Sequence, residues 1–135
     1  MIFIKWTPKY SVGIEEIDKQ HKILMDMIED SYKISKKKLD DKELKNIISD
    51  LLEYTRVHFS TEERYFKKWD YPYSEEHMIA HEEMILKVLE FADRFKTEKS
   101  KIIPDLLNFF KYWLENHIQI YDFKYANYFR DRGLI

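Results

Sequence analysis

The sequence predicts an all-α protein: an antiparallel up-down-up-down four-helix bundle with an extended N-terminal arm. Three observations predict it. Apolar residues recur at three- and four-residue steps through four long segments, the period of one face of an α-helix. Both glycines and all three prolines fall outside the interiors of those segments, where residues that break helices cost least. No segment shows a competing strand pattern. Four amphipathic helices with short joins become antiparallel neighbours, packed about 20° from parallel.

Residues 1–16 contain Pro8 and Gly13 and show no sustained helical period, so they read as an arm lying on the domain. The first helix, about 17–38, carries Ile17, His21, Leu24, Met25, Ile28 and Tyr32 on one stripe. Asp40 and Asp41 can accept hydrogen bonds from the free N–H groups of the next helix, and their charge suits its dipole. That helix spans about 41–69, with Leu44, Ile47, Ile48, Leu51, Leu52, Thr55, His58, Phe59, Glu62 and Phe66 on its stripe. Pro72 closes it, because proline disfavours helical geometry in the residue before it. Ser74 reads as the N-cap of a third helix, about 74–97, whose stripe is His77, His81, Met84, Ile85, Val88, Phe91, Ala92 and Phe95. The polar stretch Thr97 to Lys101 reads as a turn, with Pro104 in the first turn of a fourth helix over about 102–131. Its stripe is Leu107, Phe110, Trp113, Leu114, His117, Ile118, Tyr121, Asp122 and Tyr125, and Gly133 lies just past its end.

A chain of 135 residues fits one domain. With 44% hydrophobic and 36% charged residues it can bury a core and keep a solvated exterior, which excludes global disorder. The 23 basic and 25 acidic side chains leave a net charge of −2, so no bias toward nucleic acid or anionic membrane exists. The run Lys36 to Lys38 reads as a solvated helix end. Cysteine is absent, which excludes disulfides, thiolate zinc and Cys-type iron–sulfur sites and leaves His and carboxylate as the available metal ligands. The N-terminus does not have the pattern of a cleaved leader, and no run of about 18 apolar residues occurs. The expectation is a soluble, cytoplasmic monomer.

All five histidines lie on the apolar stripes, together with Glu62 and Asp122. A single histidine in such a place is ordinarily a hydrogen-bonded core residue. Here, however, His58-x-x-x-Glu62 and His77-x-x-x-His81 each put two ligands on one side of a helix, across one tight connection. Left uncompensated in an apolar core, five imidazoles and two carboxylates would cost roughly several kcal/mol each to desolvate. At about 1.5 Å per residue all five histidines fall toward the same end of the bundle. Seven ligands exceed the four to six that one ion takes, which implies two ions, with Glu62 and Asp122 as the natural bridges. Imidazole with carboxylate suits iron. Ferritin-type bundles use Glu-x-x-His, but the residues three before the histidines are Asp18, Thr55, Ser74, Met78 and Leu114. His117 and Asp122 are five apart, about 140° out of alignment on a regular helix. Both can face the site only through a π-type bulge between Leu114 and Asp122.

These residues resemble the hemerythrin family in its single-domain bacterial and archaeal form. The resemblance runs from Trp6 and YSVGIEEIDKQH (Tyr10 to His21) through HFSTEE (His58 to Glu63) and HMIAH (His77 to His81) to WLENHIQIYD (Trp113 to Asp122). It implies that His77, His81 and His117 hold one iron and His21 and His58 the other. Glu62, Asp122 and an oxo or hydroxo group would bridge them. The two-histidine iron would keep an open position, where dioxygen binds reversibly for storage, delivery or sensing; Leu114, one turn before His117, would face it, with Phe59, Trp113 and Ile118 as walls. The rival expectations are a di-iron enzyme reducing peroxide or nitric oxide, and an iron or redox sensor. The recipient of the oxygen is not legible.

Overall fold

The computed structural model describes residues 2–95, 97 and 99–135, with residues 99–101 described by backbone alone. Four rods form the bundle: α1 (Glu15–Ser35), α2 (Asp41–Lys68), α3 (Ser74–Arg94), and α4 (Lys99–His117) continued through a π-helical turn (Ile118–Asp122) into α5 (Phe123–Asp131). Helix α1 packs on α2 and α4, and α3 packs on the same two, so the rods close into a ring of sequential neighbours. No strand occurs among the described residues. The all-helical bundle expected from the apolar period is the fold observed.

The arm is anchored by one buried carboxylate. Glu29 Oε2 accepts from the Phe3 and Ile4 amides at 2.9 and 3.0 Å, and the Phe3 ring stacks on Tyr32 with centroids 4.2 Å apart. Further along, Asp18 accepts from the Val12 amide at 2.8 Å and from the Ser11 hydroxyl. A short 3₁₀ turn at Pro8–Tyr10 interrupts the otherwise extended path.

Helix ends explain where the periodic reading and the structure part. Asp40 caps α2 in a reciprocal box: the Glu43 amide donates to Asp40 Oδ1 at 2.8 Å, and the Asp40 amide donates to Glu43 Oε1. The other end of α2 closes as a Schellman motif, with the Tyr71 amide donating to the Phe66 carbonyl at 2.9 Å across Asp70, whose φ is +49°. Tyr71 also lays its ring 5.1 Å from that of Phe66, the apolar contact that accompanies such an end. Helix α1 stops at Ser35, short of the expected 38, and the Lys36 and Lys37 amides close its last turn on Lys33 and Ile34.

Two helix starts need correction. Ser74 is the first helical residue of α3 and not its cap; the His77 amide donates to the Tyr73 carbonyl, so Tyr73 holds the cap position. Helix α4 starts at Lys99, inside the stretch read as a turn, which leaves Pro104 in its second turn. There the proline removes a backbone bond to the carbonyl four residues earlier and crowds it. Helix α3 ends at Arg94, short of the expected 97; Lys96 and Glu98 lie outside the described residues.

Buried apolar side chains fall into two clusters. One holds Leu24, Met25, Ile28, Leu51, Met84, Val88, Leu107 and Phe110 with Phe59, Leu114 and Ile118 at its margin. The other holds Val12, Ile17, Phe66, Tyr71, Tyr125 and Phe129. Three of the four rods pass from one cluster to the other, α1 between Ile17 and Leu24, α2 between Phe59 and Phe66, and the last rod between Ile118 and Tyr125. The buried residues inside those crossings are polar: His21, Thr61, Glu62 and Asp122.

Candidate metal centre

The crossing layer contains His21 from α1, His58 and Glu62 from α2, His77 and His81 from α3, and His117 and Asp122 from the last rod. None of the seven is more than 4% exposed. The structure brings all of them to one place. Glu62, His77, His81 and His117 form one set of potential ligands, and His21, His58, Glu62 and Asp122 form a second, with donor atoms inside each set within 4.8 Å of one another. Glu62 belongs to both. Asp122 also spans them: its Oδ2 lies 3.2 Å from His21 Nε2, while its Oδ1 lies 3.2 Å from His77 Nε2 and 3.2 Å from His117 Nε2.

The π turn is what makes this possible. It occupies Ile118–Asp122, within the segment where the five-residue spacing requires it, and the Phe123 amide reaches back to the Ile118 carbonyl. Widening the helix by one residue aligns His117 and Asp122, which a regular helix would point apart.

Spacing and satisfaction both fit a metal. Two ligands about 2.1 Å from one ion and at right angles lie about 3 Å apart. The observed separations are of this size: 2.9 Å for His77 Nε2 to His117 Nε2, 3.3 Å for His58 Nε2 to Glu62 Oε1, and 3.2 Å for His81 Nε2 to Glu62 Oε1. Yet His21 Nε2, His81 Nε2, Glu62 Oε1 and both Asp122 oxygens have no hydrogen-bond partner in the structure, although each is buried. Close but misaligned pairs of this kind share a point between them instead of a proton. Buried polar atoms are normally satisfied, and a cation at those shared points satisfies them together.

The charge balance of the metal-free cluster is held by the same atoms. Burial and the neighbouring Asp122 push the Glu62 carboxyl up, but His58 and His81 outweigh them and hold it below the usual carboxylate range. Burial likewise opposes ionisation of Asp122, which His117, His21 and His77 nevertheless keep well below that range. Burial lowers the His58 and His117 imidazoles. For His21 the burial effect is overcome by Asp122, and for His81 by Glu62 and Glu63, which bring it to about 9.

Two of the residues expected as walls lie on a particular side. Phe59 stacks on His81 with centroids 3.7 Å apart and planes at 3°, and Trp113 stacks on His117 at 4.2 Å and 13°. Both therefore cover the three-histidine set. Leu114 and Ile118 are buried in the apolar cluster that borders the site.

Three neighbours of the cluster escaped the sequence reading. Gln20 Oε1 lies 2.8 Å from His58 Nδ1, Glu63 Oε2 lies 2.9 Å from His81 Nδ1, and the Tyr125 hydroxyl donates to Glu62 Oε2 at 2.6 Å. Gln20 and Glu63 each sit beside a ligand in the chain, which offers no periodic signal. Tyr125 lies on the apolar stripe and reads there as core.

A helical bundle whose polar layer is five imidazoles and two carboxylates defines a protein of the histidine–carboxylate metal-binding class. The comparisons with known proteins make the class specific. The family model described as Hemerythrin HHE cation binding domain matches residues 12–129, and the chain belongs to the hemerythrin family. It is 31% identical to a bacteriohemerythrin of Clostridium acetobutylicum, over 90% of this chain and 98% of that one. A bacteriohemerythrin of Stenotrophomonas maltophilia is 28% identical, over 94% and 82% respectively, and a myohemerythrin of Riftia pachyptila 29%, over 89% and 88%.

Proposed function

We propose that this protein binds dioxygen reversibly at a pair of non-haem iron ions, for storage, delivery or sensing of oxygen. The observation that carries the reading is the two buried ligand sets that share Glu62. In this reading His77, His81 and His117 hold one iron and His21 and His58 the other. Glu62, Asp122 and an oxo or hydroxo group join them. Ferrous iron supplies electrons that a bound diatomic ligand can borrow and return.

The chain's own residues supply inequality and dryness. Three imidazoles on one side and two on the other leave the second side short of a ligand, so an exogenous molecule has one place to bind. Leu114 and Ile118 exclude water from the cluster, and Phe59 and Trp113 close the face over His81 and His117. Solvent exclusion protects a reversibly bound ligand from hydrolysis and from external reductants.

Anaerobic loading with ferrous iron is expected to give two irons per chain. On admission of air a visible charge-transfer band should develop, fade under vacuum and return through repeated cycles. Irreversible oxidation on first exposure, with turnover when peroxide and a reductant are supplied, would replace carriage by a peroxidase-type activity. His58→Ala and His81→Ala should each lower bound iron sharply, and two irons retained in either would break the ligand assignment. Leu114→Ala should keep both irons and shorten the lifetime of the oxygenated form.

A further inference from the structure

All five histidines present Nε2 to the cluster, so their Nδ1 atoms face outward. What those outward atoms meet differs between the two ligand sets. His21 Nδ1 and His77 Nδ1 have no hydrogen-bond partner in the structure. His58, in the two-histidine set, meets the amide of Gln20, and His81, in the three-histidine set, meets the carboxylate of Glu63.

The proton positions in the first contact follow from its neighbours. The Thr61 hydroxyl donates its one hydrogen to the Val57 carbonyl at 3.1 Å. Gln20 Nε2, 2.9 Å from Thr61 Oγ1, must therefore be the donor in that pair. Its Oε1 then faces His58 as an acceptor, Nδ1 carries the hydrogen, and the Nε2 lone pair is left for the cluster. The relay is neutral from end to end. In the second contact the acceptor is a carboxylate, which accepts only, so His81 is held in the same tautomer by an ionised partner. A hydrogen bond to an ionised acceptor is about twice as strong as a neutral one and moves more negative charge into the ring.

We propose that Glu63 and Gln20 are positioning residues that make the two halves of the centre electronically unequal. Glu63 turns His81 into a stronger donor to its ion, while Gln20 holds His58 oriented but leaves it an ordinary neutral ligand. The inference rests on the reading that the site holds two ions, one in each ligand set. It adds a second asymmetry, of ligand strength, to the three-against-two count of histidines.

The test uses zinc, which loads the same ligands without redox chemistry, and follows its release to a colorimetric chelator. Wild-type protein should bind two zinc ions and release them in two phases, and His21→Ala identifies the phase belonging to the two-histidine set. Glu63→Gln keeps the shape and the hydrogen bond while removing the charge. It should speed the other phase about tenfold, at the low end of the range for such partners, and leave the first phase unchanged. Gln20→Glu should slow the two-histidine phase and spare the other. The melting temperature of the metal-free protein is compared above pH 9, where His81 has lost its proton and its ion pair with Glu63; there it should stay unchanged in Glu63→Gln, since a purely structural role would move that temperature and both phases together. Two ions bound with both phases shifted equally, or neither shifted, would overturn the inference while sparing the two-ion reading. Fewer than two ions in the wild type would overturn both.

Discussion

Glu62 and Asp122 are carboxylates without a water-facing surface, and imidazoles do for them what solvent does elsewhere. The exchange has consequences at opposite ends of the pH scale. In the metal-free protein His81 has its pKa raised from 6.5 to about 9, so its stabilisation is full below 6.5 and is lost as pH climbs through 9. Glu62 and Asp122 are shifted the other way, so their stabilisation is present above the usual carboxylate range and lost in acid. A metal held by His81, as proposed above, must displace that proton. Raising pH from 6.5 to about 9 is therefore expected to weaken the metal-free fold in urea unfolding and to tighten zinc binding over the same window. Competition titration with proton-release measurement checks the second effect; flat affinity across that window would mean that His81 is not a ligand. At this scale the seven cluster residues were legible in the sequence, because their type and period set them apart from an apolar stripe. Gln20, Glu63 and Tyr125 were not, because a side chain that touches a ligand's far side obeys no period.

Among the elements, the ends of α2 and the π turn carry most of the precision. His58 and Glu62 keep their depth because Asp40 caps one end and the Asp70 turn stops the other. Asp70 is the one non-glycine residue at positive φ among those described, in a conformation that costs most side chains about 1–2 kcal/mol and aspartate less. Asp70→Gly is expected to raise the unfolding free energy by about 0.5–1 kcal/mol, read by urea titration, with metal content unchanged. A loss of stability would show that the carboxylate makes a contact worth more than the strain. The π turn could be foreseen from a five-residue spacing between two ligands. Ser74 and Pro104 misled for a shared physical reason: capping and breaking preferences are worth about 1–3 kcal/mol, and packing of a whole apolar face outweighs them.

Across the whole molecule, a polar layer separates two apolar clusters, and that layer holds buried atoms without hydrogen-bond partners. Occupancy should therefore act as a global staple joining all four rods. Metal at a hundred times its dissociation constant adds about 2.7 kcal/mol of stability per site, and for a domain of this size that moves the midpoint by about 10 °C. Loading with zinc or ferrous iron is expected to raise the melting temperature by at least that much, and chelation should reverse it. An unchanged midpoint in the loaded protein would detach the cluster from the stability of the fold. The arm contributes through Glu29, which joins residues 3 and 4 to α1.

By itself the sequence determined the helical bundle, the polar positions interrupting its stripes, and the need for a widened turn before Asp122. These follow from local period and from the cost of burying charge, both of which are written along one chain. Only the tertiary structure decided which imidazole faces which carboxylate, that Phe59 and Trp113 cover the three-histidine side, and that Glu63 and Gln20 stand behind different halves. Those choices depend on the rotation of each helix about its axis. That rotation is set by packing among four rods at once, and no single helix encodes it.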